Sequence, residues 1–161
     1  MQIAKAFGAE VTAVCSTRNL EMACSLGADH VTDYTWGDFA RNGQRYDLIL
    51  AMNGYRPISD YLRVLNPEGR YVVTGGSMRQ LFQAALLGRQ VSHSGSQKTC
   101  ILSLMQSQED LVLLRKLIED GKVMPVIDGY YPLSKTTDAF WHIEKQHPKG
   151  KIVITIEHHV R

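Results

Sequence analysis

Short apolar runs alternate with longer amphipathic stretches along most of the chain. The runs are bounded by polar residues or glycine and predict strands at Val11–Cys15, His30–Asp33, Tyr46–Met52, Arg70–Thr74 and Lys151–Glu157. Two weaker extended segments are Gln90–Gly95, which alternates as an edge strand does, and Val123–Ile127, which Pro125 interrupts. The continuous apolar run at Tyr46–Met52 is typical of a parallel strand covered on both faces.

Apolar residues three or four positions apart predict helices between these strands. The predicted helices are Met1–Phe7, Asn19–Leu26, Ile58–Leu65, Met78–Leu86, Ser107–Ile118 and Ser134–Gln146. A weak helical turn is expected at Asp38–Asn42, and a turn with Pro and Gly at Asn66–Gly69. The expected N-terminal caps are Asn19, Ser107 and Ser134, and the expected stops are Gly8, Gly27, Gly88 and Gly121. The helix Ser107–Ile118 carries Leu111, Leu114, Leu117 and Ile118 at helical spacing, and the residues expected to point inward from the last helix are Ala139, Phe140 and Ile143. This alternation of strands and helices predicts an α/β fold with a mostly parallel sheet and right-handed crossovers.

The polar turn Ser16-Thr17-Arg18-Asn19 follows the first predicted strand and precedes a helix. In dinucleotide-binding folds the end of this strand faces the adenosine ribose, and an acidic residue there favours NADH. Here the strand ends in hydroxyls and a guanidinium, which suit the 2′-phosphate of NADPH. An ordinary solvated turn with a helix-capping Ser or Asn is the alternative interpretation.

Composition narrows the function classes further. The chain has 161 residues, a net charge of +2 and no basic run, which gives no case for nucleic-acid binding. No apolar stretch approaches membrane length, and the N-terminus lacks a signal-peptide layout. Cys15, Cys24 and Cys100 fit no metal or redox spacing and predict reduced thiols in a cytoplasmic protein. The histidines do not combine with Cys, Asp or Glu at ligand spacing, so we expect no metal site, and His142 is expected at the surface.

Several short motifs together resemble the cofactor-binding half of the medium-chain dehydrogenase/reductase superfamily, in its zinc-free quinone oxidoreductase-like branch. Their order and intervals also match, and the likeness covers nearly the whole chain. The motifs are Gln2-Ile3-Ala4-Lys5-Ala6-Phe7-Gly8-Ala9, Ser16-Thr17-Arg18, Leu26-Gly27-Ala28-Asp29-His30-Val31 with Asp33-Tyr34, Pro67-Glu68-Gly69-Arg70-Tyr71-Val72, and Gly150-Lys151-Ile152-Val153. The resemblance implies a Rossmann-type sheet with flanking helices and an NADP cofactor.

The resemblance also implies roles for individual residues. Ser16 and Arg18 would bind the 2′-phosphate, and Tyr34 would lie near the adenosine phosphate or the adenine. The remaining implied contacts are Asn53 and Gly54 at the cofactor ribose, Gly75, Gly76 and Ser77 near the nicotinamide, and Lys151 at the cofactor edge. Simpler explanations exist: Tyr34 as a half-buried strand aromatic, Gly75 and Gly76 as turn glycines, and Lys151 as a solvated charge. No residue is assigned as catalytic.

The resemblance begins inside the family pattern rather than at its start. The N-terminal catalytic domain, the first strand and the Gly-rich phosphate loop have no counterpart in this sequence, so cofactor binding by this chain is expected to be weak or absent. We expect residues 1–161 to form a truncated dinucleotide-binding domain, with residues 123–161 matching the family's C-terminal return segment. The lost strand would lie in the middle of the sheet.

An unfilled place in the middle of a sheet is costly for the backbone groups on either side. The gap could be closed by direct pairing of the flanking strands, by the C-terminal strand Lys151–Ile156, or by strand exchange in a homodimer. The family resemblance also implies a homodimer through Gln90–Gly95.

The sequence leaves two candidate functions. The first is an NADPH-dependent oxidoreductase of the quinone, enone or alcohol dehydrogenase-like kind, or a fragment of one. The second is a non-catalytic nucleotide-fold domain that is a remnant or a partner subunit.

Overall fold

The computed structural model describes residues 1–52, 56–74, 98–101, 107–146 and 148–156. The helices in these ranges are α1 (Gln2–Ala6), α2 (Leu20–Ser25), α3 (Ile58–Arg63), α4 (Gln108–Glu119) and α5 (Thr136–Gln146). The strands are β1 (Thr12–Cys15), β2 (His30–Asp33), β3 (Tyr46–Met52), β4 (Leu65–Thr74), β5 (Lys98–Ile101), β6 (Ile127–Pro132) and β7 (Lys151–Thr155). The described strand pairs are all parallel, which confirms the predicted α/β class.

The chain folds as two compact units, which we call the terminal unit and the central unit. The terminal unit comprises Met1–Asp33 with Ser107–Arg161, and the central unit comprises Tyr34–Gln106. In the described part of the terminal unit, β1 pairs with β2 and β6 pairs with β7. These pairs are separate two-stranded sheets, so the described residues show no pairing of the C-terminal strand β7 with β1.

Hydrogen bonds from α1 hold the two segments of the terminal unit together. The Gln2 side chain donates to the Met124 carbonyl at 2.9 Å and accepts from the Met124 amide at 2.6 Å. Lys5 Nζ lies 2.7 Å from the Asp29 carboxylate, which also accepts from the Val11 amide at 2.7 Å. The Lys5 ammonium and the Val11 amide both lower the pKa of Asp29. One carboxylate thus joins α1 to the starts of β1 and β2.

Glycine and serine mark the helix ends largely as predicted. Gly27 and Gly121 follow α2 and α4 with φ values of 88° and 68°, a left-handed conformation that favours glycine. Ser107 caps α4, since its hydroxyl accepts from the Glu109 amide at 3.2 Å. Asn19 occupies the N-cap position of α2 as predicted, but its side chain makes no capping hydrogen bond. Ser134 lies within a 3₁₀ turn, Leu133–Lys135, that precedes α5.

The apolar faces of the last two helices are only partly buried. Ala139 of α5 is buried as predicted, and Leu117 of α4 is buried as well. Phe140 and Ile143, which were predicted to point inward, are exposed, and so are Leu111, Leu114 and Ile118 on α4. Helical periodicity identifies the apolar face of a helix, but it does not show whether the fold supplies a surface to cover that face.

In the central unit β4 lies between β3 and β5. The register runs from Leu48 opposite Arg70 to Met52 opposite Thr74, and it breaks before this, where Tyr46 pairs with Leu65. The residues between Leu65 and Arg70 are therefore extra residues that bulge from the ladder, at the position of the predicted Asn66–Gly69 turn. Leu65 was predicted to end the preceding helix, but it begins β4 and is fully buried.

Aromatic rings fill the core of the central unit. Phe39 and Tyr61 have ring centroids 5.5 Å apart, and Tyr61 stacks on Tyr71 at 4.9 Å. The aliphatic residues of this core are Ala40, Ala51, Ile58, Val64, Leu65 and Val73. Burial, with a smaller contribution from Tyr61, raises the pKa of Tyr71 to about 12. The core thus lies on one face of β3 and β4 and is closed by α3 and the 3₁₀ turn Phe39–Arg41.

The opposite face of β3 contradicts the prediction that this strand is covered on both sides. Leu48, Leu50 and Met52 are 56%, 53% and 69% exposed, whereas Ala51 is buried. Successive side chains of a strand point to opposite faces, so these three residues form one exposed apolar row. The continuous apolar run correctly predicts the strand, but one of its faces is open.

Some predicted elements lie outside the described residues. These are the helix Met78–Leu86 with its stop Gly88 and the edge strand Gln90–Gly95. Two described strands, β5 and β6, were not predicted. β6 begins where the predicted segment Val123–Ile127 ends, and its Gly129 and Pro132 obscure the strand pattern in the sequence.

Replacement of Leu65 by alanine tests the core of the central unit. Leu65 is fully buried, so Leu65→Ala should lower the free energy of unfolding by about 2–5 kcal/mol. Leu48→Ala is the matched control on the open face and should cost less than about 1 kcal/mol. Urea denaturation followed by circular dichroism measures both. Equal losses from the two variants would contradict the assignment of the buried face.

Tyr71 should make the chain less stable at alkaline pH. Its pKa is about 12 in the folded protein and near 10 in the unfolded chain, so its stabilising contribution is complete below pH 10. Between pH 10 and 12 the unfolded chain releases this proton first, and stability falls. Tyr71→Phe should therefore flatten the pH dependence of urea midpoints in this range, whereas Tyr130→Phe, at a 67% exposed position, should not. Parallel pH profiles for all three proteins would refute the assignment.

Candidate functional site

The candidate site is the turn between β1 and α2. Ser16 has extended backbone geometry, and residues Thr17–Asn19 form a 3₁₀ turn in which the Asn19 amide donates to the Ser16 carbonyl at 2.8 Å. Ser16 is half-buried, while Thr17 and Arg18 are exposed. The two exposed residues at the carboxyl end of β1 thus carry a hydroxyl and a guanidinium.

Side-chain capping does not explain the polar residues of this turn. Neither Ser16 nor Asn19 makes a side-chain capping bond to the helix that follows it. Asn19 Nδ2 instead donates to Ser16 Oγ at 3.5 Å, and within the described residues Asn19 Oδ1 is buried without a hydrogen-bond partner. The structure therefore gives the capping alternative no support.

Asp33 is a residue of this site that the sequence analysis missed. Parallel pairing puts Asp33 directly opposite Cys15, the last residue of β1. The Thr17 hydroxyl donates to Asp33 Oδ2 in a short hydrogen bond. A carboxylate therefore lies at the turn after all, although it comes from the neighbouring strand. The signal was available in the sequence, because parallel strands that end together bring their last residues to one edge.

The charge on Asp33 reaches the end of β1. The pKa of the half-buried Cys15 thiol is raised, first by burial, then by the Asp33 carboxylate and least by Cys24. A negative charge near a thiol disfavours the thiolate, so both main causes act in the same direction. Cys15 is therefore protonated at neutral pH and serves as a probe of the Asp33 charge.

The other predicted site residues lie on other segments of the chain. Tyr34 is 56% exposed in the central unit, and Lys151 is exposed at the start of β7, opposite Ile127. β7 and the turn after β1 belong to different sheets of the terminal unit. The predicted residues outside the described ranges are Asn53, Gly54, Gly75, Gly76 and Ser77. Among the described candidates, Ser16 and Arg18 share one turn, with Thr17 between them and Asp33 beside them, and Tyr34 directly follows Asp33 in the sequence.

His142 is less exposed than the sequence analysis expected. Its Nε2 lies 3.2 Å from the Asp128 carboxylate, and its Nδ1 lies 2.8 Å from the Tyr131 hydroxyl. A neutral imidazole satisfies both contacts if Nε2 donates to Asp128 and Nδ1 accepts from Tyr131. These bonds fix α5 on β6, which gives His142 a structural part in the terminal unit.

The described ranges contain no cluster of three or more His, Cys, Asp or Glu side chains arranged to hold a metal ion. None of the helices in those ranges has the length and apolar character needed to cross a bilayer.

The influence of Asp33 on Cys15 can be measured directly. Asp33→Asn removes the carboxylate charge and should lower the apparent pKa of the Cys15 thiol, so that alkylation at pH 8 becomes faster. Cys24→Ser and Cys100→Ser in the background leave Cys15 as the thiol that reacts. Asp110→Asn, which makes the same charge change on exposed α4, should leave the rate unchanged. Identical pH–rate profiles for all proteins would show that Asp33 does not act on the turn.

Comparison with known proteins gives consistent similarities. Residues 26–154 match the family model described as zinc-binding dehydrogenase. The chain is 32% identical over 158 residues to the chloroplast envelope quinone oxidoreductase homologue of Arabidopsis thaliana, covering 96% of this chain and 47% of that protein. It is 31% identical to the chloroplastic NADPH-dependent alkenal/one oxidoreductase of the same plant, covering 96% and 36%. The chain thus spans about half the length of these relatives or less.

Solved structures agree with this grouping at the level of the fold. The quinone oxidoreductase from Coxiella burnetii superposes with a TM-score of 0.76 at 23% identity, covering 97% of this chain and 48% of that one. The family match extends over most of the sequence, and the Rossmann-type architecture is shared. The chain therefore belongs to the zinc-binding dehydrogenase family, within the medium-chain dehydrogenase/reductase superfamily.

Proposed function

We propose that the chain is the cofactor-binding half of an NADPH-dependent oxidoreductase that reduces quinones or enones. The observation that carries this proposal is the similarity, along 96% of the chain, to relatives named as a quinone oxidoreductase homologue and an NADPH-dependent alkenal/one oxidoreductase. In such chemistry the nicotinamide supplies a hydride to an electron-poor carbonyl or alkene. The protein positions the cofactor and sets the polarity around it.

The turn after β1 is the part of the described structure proposed to hold the adenosine end of the cofactor. The Ser16 hydroxyl and the Arg18 guanidinium offer charge-assisted hydrogen bonds to a 2′-phosphate. Tyr34 presents an exposed ring that suits adenine. The contacts proposed for the rest of the cofactor are Asn53, Gly54, Gly75, Gly76, Ser77 and Lys151.

The wider organisation follows as part of the same proposal. Residues 1–161 would form a truncated dinucleotide-binding domain, and residues 123–161 would be the family's C-terminal return segment. The parallel pairing of β6 with β7 and the contact of His142 on α5 with Tyr131 on β6 support this division, because the three elements form a strand–helix–strand unit. Assembly as a homodimer and a cytoplasmic location stay predictions, and several relatives carry names that place them in chloroplasts or mitochondria.

A non-catalytic partner subunit is the second candidate function. The open row of Leu48, Leu50 and Met52 favours it, because such an apolar surface gains from burial against another segment. This alternative predicts no preference between adenosine probes with and without a 2′-phosphate, whereas the oxidoreductase proposal predicts that Arg18 recognises the 2′-phosphate.

Arg18→Ala tests the nucleotide proposal on the 161-residue chain. Adenosine 2′,5′-bisphosphate represents the adenosine end of NADPH, and adenosine 5′-monophosphate represents that of NADH. Loss of the guanidinium should weaken binding of the bisphosphate by about tenfold or more, since hydrogen bonds to charged groups contribute about 1.5–3 kcal/mol. Binding of the monophosphate should change by less than about twofold. Isothermal titration calorimetry measures both affinities.

The control is Arg115→Ala, which removes the same charge from a 79% exposed side chain on α4. It should leave both affinities unchanged. Equal weakening of both probes by Arg18→Ala would contradict a role at the 2′-phosphate. Absence of binding by the unmodified chain would favour the partner-subunit alternative.

A further inference from the structure

The Asp33 carboxylate occupies the same end of the sheet as the proposed phosphate-binding turn. It lies opposite Cys15 in the β1–β2 register and accepts a hydrogen bond from Thr17. Thr17 stands between Ser16 and Arg18, the two residues proposed to hold the 2′-phosphate. A fixed negative charge is therefore built into the turn that would receive a second, larger negative charge.

The hydrogen bond also limits what Thr17 can do. A hydroxyl has one proton to donate, and in this structure Thr17 donates it to Asp33. Thr17 therefore cannot also donate to a phosphate oxygen, which has only acceptor capacity, while Asp33 stays charged and in place. The geometry removes one of the two hydroxyl donors of the turn from phosphate recognition.

The raised pKa of Cys15 indicates that the Asp33 charge acts at the end of β1. Asp33 contributes to that shift, so its charge acts on atoms at the end of β1 and not only on its hydrogen-bond partner. A phosphate ester at the 2′-position is largely dianionic near neutral pH and is repelled by such a charge, whereas a 2′-hydroxyl is not.

We infer that Asp33 is a specificity-determining residue of the turn, whose carboxylate opposes the 2′-phosphate that Arg18 attracts and so narrows the preference for NADPH over NADH. The inference rests on the proposed function and adds to it a residue from the neighbouring strand. The preference between NADPH and NADH then depends on how far the attraction of the 2′-phosphate by Arg18 exceeds its repulsion by Asp33. Removing the negative charge should relieve the repulsion and weaken the hydrogen bond that holds the Thr17 hydroxyl away from the phosphate.

Asp33→Asn in the 161-residue chain tests this inference with the same two adenosine probes. Affinity for adenosine 2′,5′-bisphosphate should rise about tenfold, while affinity for adenosine 5′-monophosphate should change by less than about twofold. The gain should shrink as salt is raised from 0.05 to 0.5 M, because the effect is partly Coulombic. Asp110→Asn is the matched charge control and should leave the ratio of the two affinities unchanged.

A second variant, Asp33→Ser, also removes the charge and replaces Asp33→Asn if that variant fails to fold. Circular dichroism shows whether each variant is folded. An unchanged affinity ratio in both folded variants, with the bisphosphate still weakened by Arg18→Ala, would overturn the inference and leave the proposed function standing. The probes represent the adenosine end of the cofactor, which this turn should hold without a Gly-rich phosphate loop. Failure of every variant to bind either probe at millimolar concentration would therefore overturn both the inference and the proposed function. A rise in monophosphate affinity equal to that of the bisphosphate would also refute a role for Asp33 in specificity.

Discussion

Parallel pairing of β1 with β2 is the constraint on which the candidate site depends. Parallel strands that end together bring residues distant in sequence to one edge, and this register places Cys15 opposite Asp33. The Asp33 carboxylate then meets the Thr17 hydroxyl beside Arg18. A slip of one residue would turn the alternating side chains to the other face and separate these groups. The chemistry of the turn is thus a consequence of backbone register.

Local patterns were sufficient for much of the fold. The limits predicted for His30–Asp33 and Tyr46–Met52 agree with the structure, because each is a compact run with clear polar or turn residues around it. The strand Ile127–Pro132 was missed, since Gly129 and Pro132 weaken its pattern and its pairing partner, β7, lies much later in the chain. Strand pairing over such a distance leaves no periodic signal in either segment.

At the candidate site, too, contacts between sequence neighbours were predicted, whereas contacts between distant segments were not. Ser16 and Arg18 were identified because they are neighbours in the sequence of one turn. Asp33 was missed because its proximity depends on register. Asn19 does stand at the N-cap of α2, but its side chain donates to Ser16 Oγ and makes no capping bond. His142 was assigned to the surface for a similar reason, since its partners Asp128 and Tyr131 belong to another element.

Burial was the least predictable property, and the physical reason bears on how the chain works. Leu48, Leu50 and Met52 form an apolar row that exposes more than half of each side chain, and Phe140 of α5 is similarly open. Exposed apolar area on this scale is unfavourable in water. The apolar faces that the sequence pattern predicts are therefore larger than the surfaces that the described residues bury against one another. Since the chain matches about half the length of its relatives, stability and cofactor recognition are best considered together with whatever covers these faces.

Cofactor preference in this fold is commonly inferred from the residue that ends a single strand. By that rule the turn after β1 favours NADPH, since hydroxyls and a guanidinium follow the strand. The structure shows a carboxylate at the same edge, contributed by β2. Because charges interact through space, every charged group at this edge of the sheet affects the cofactor preference, and not only the residue that ends β1. On the proposed function, Arg18 would attract a 2′-phosphate and Asp33 would oppose it, so a rule that considers only Arg18 would overstate the preference for a phosphate.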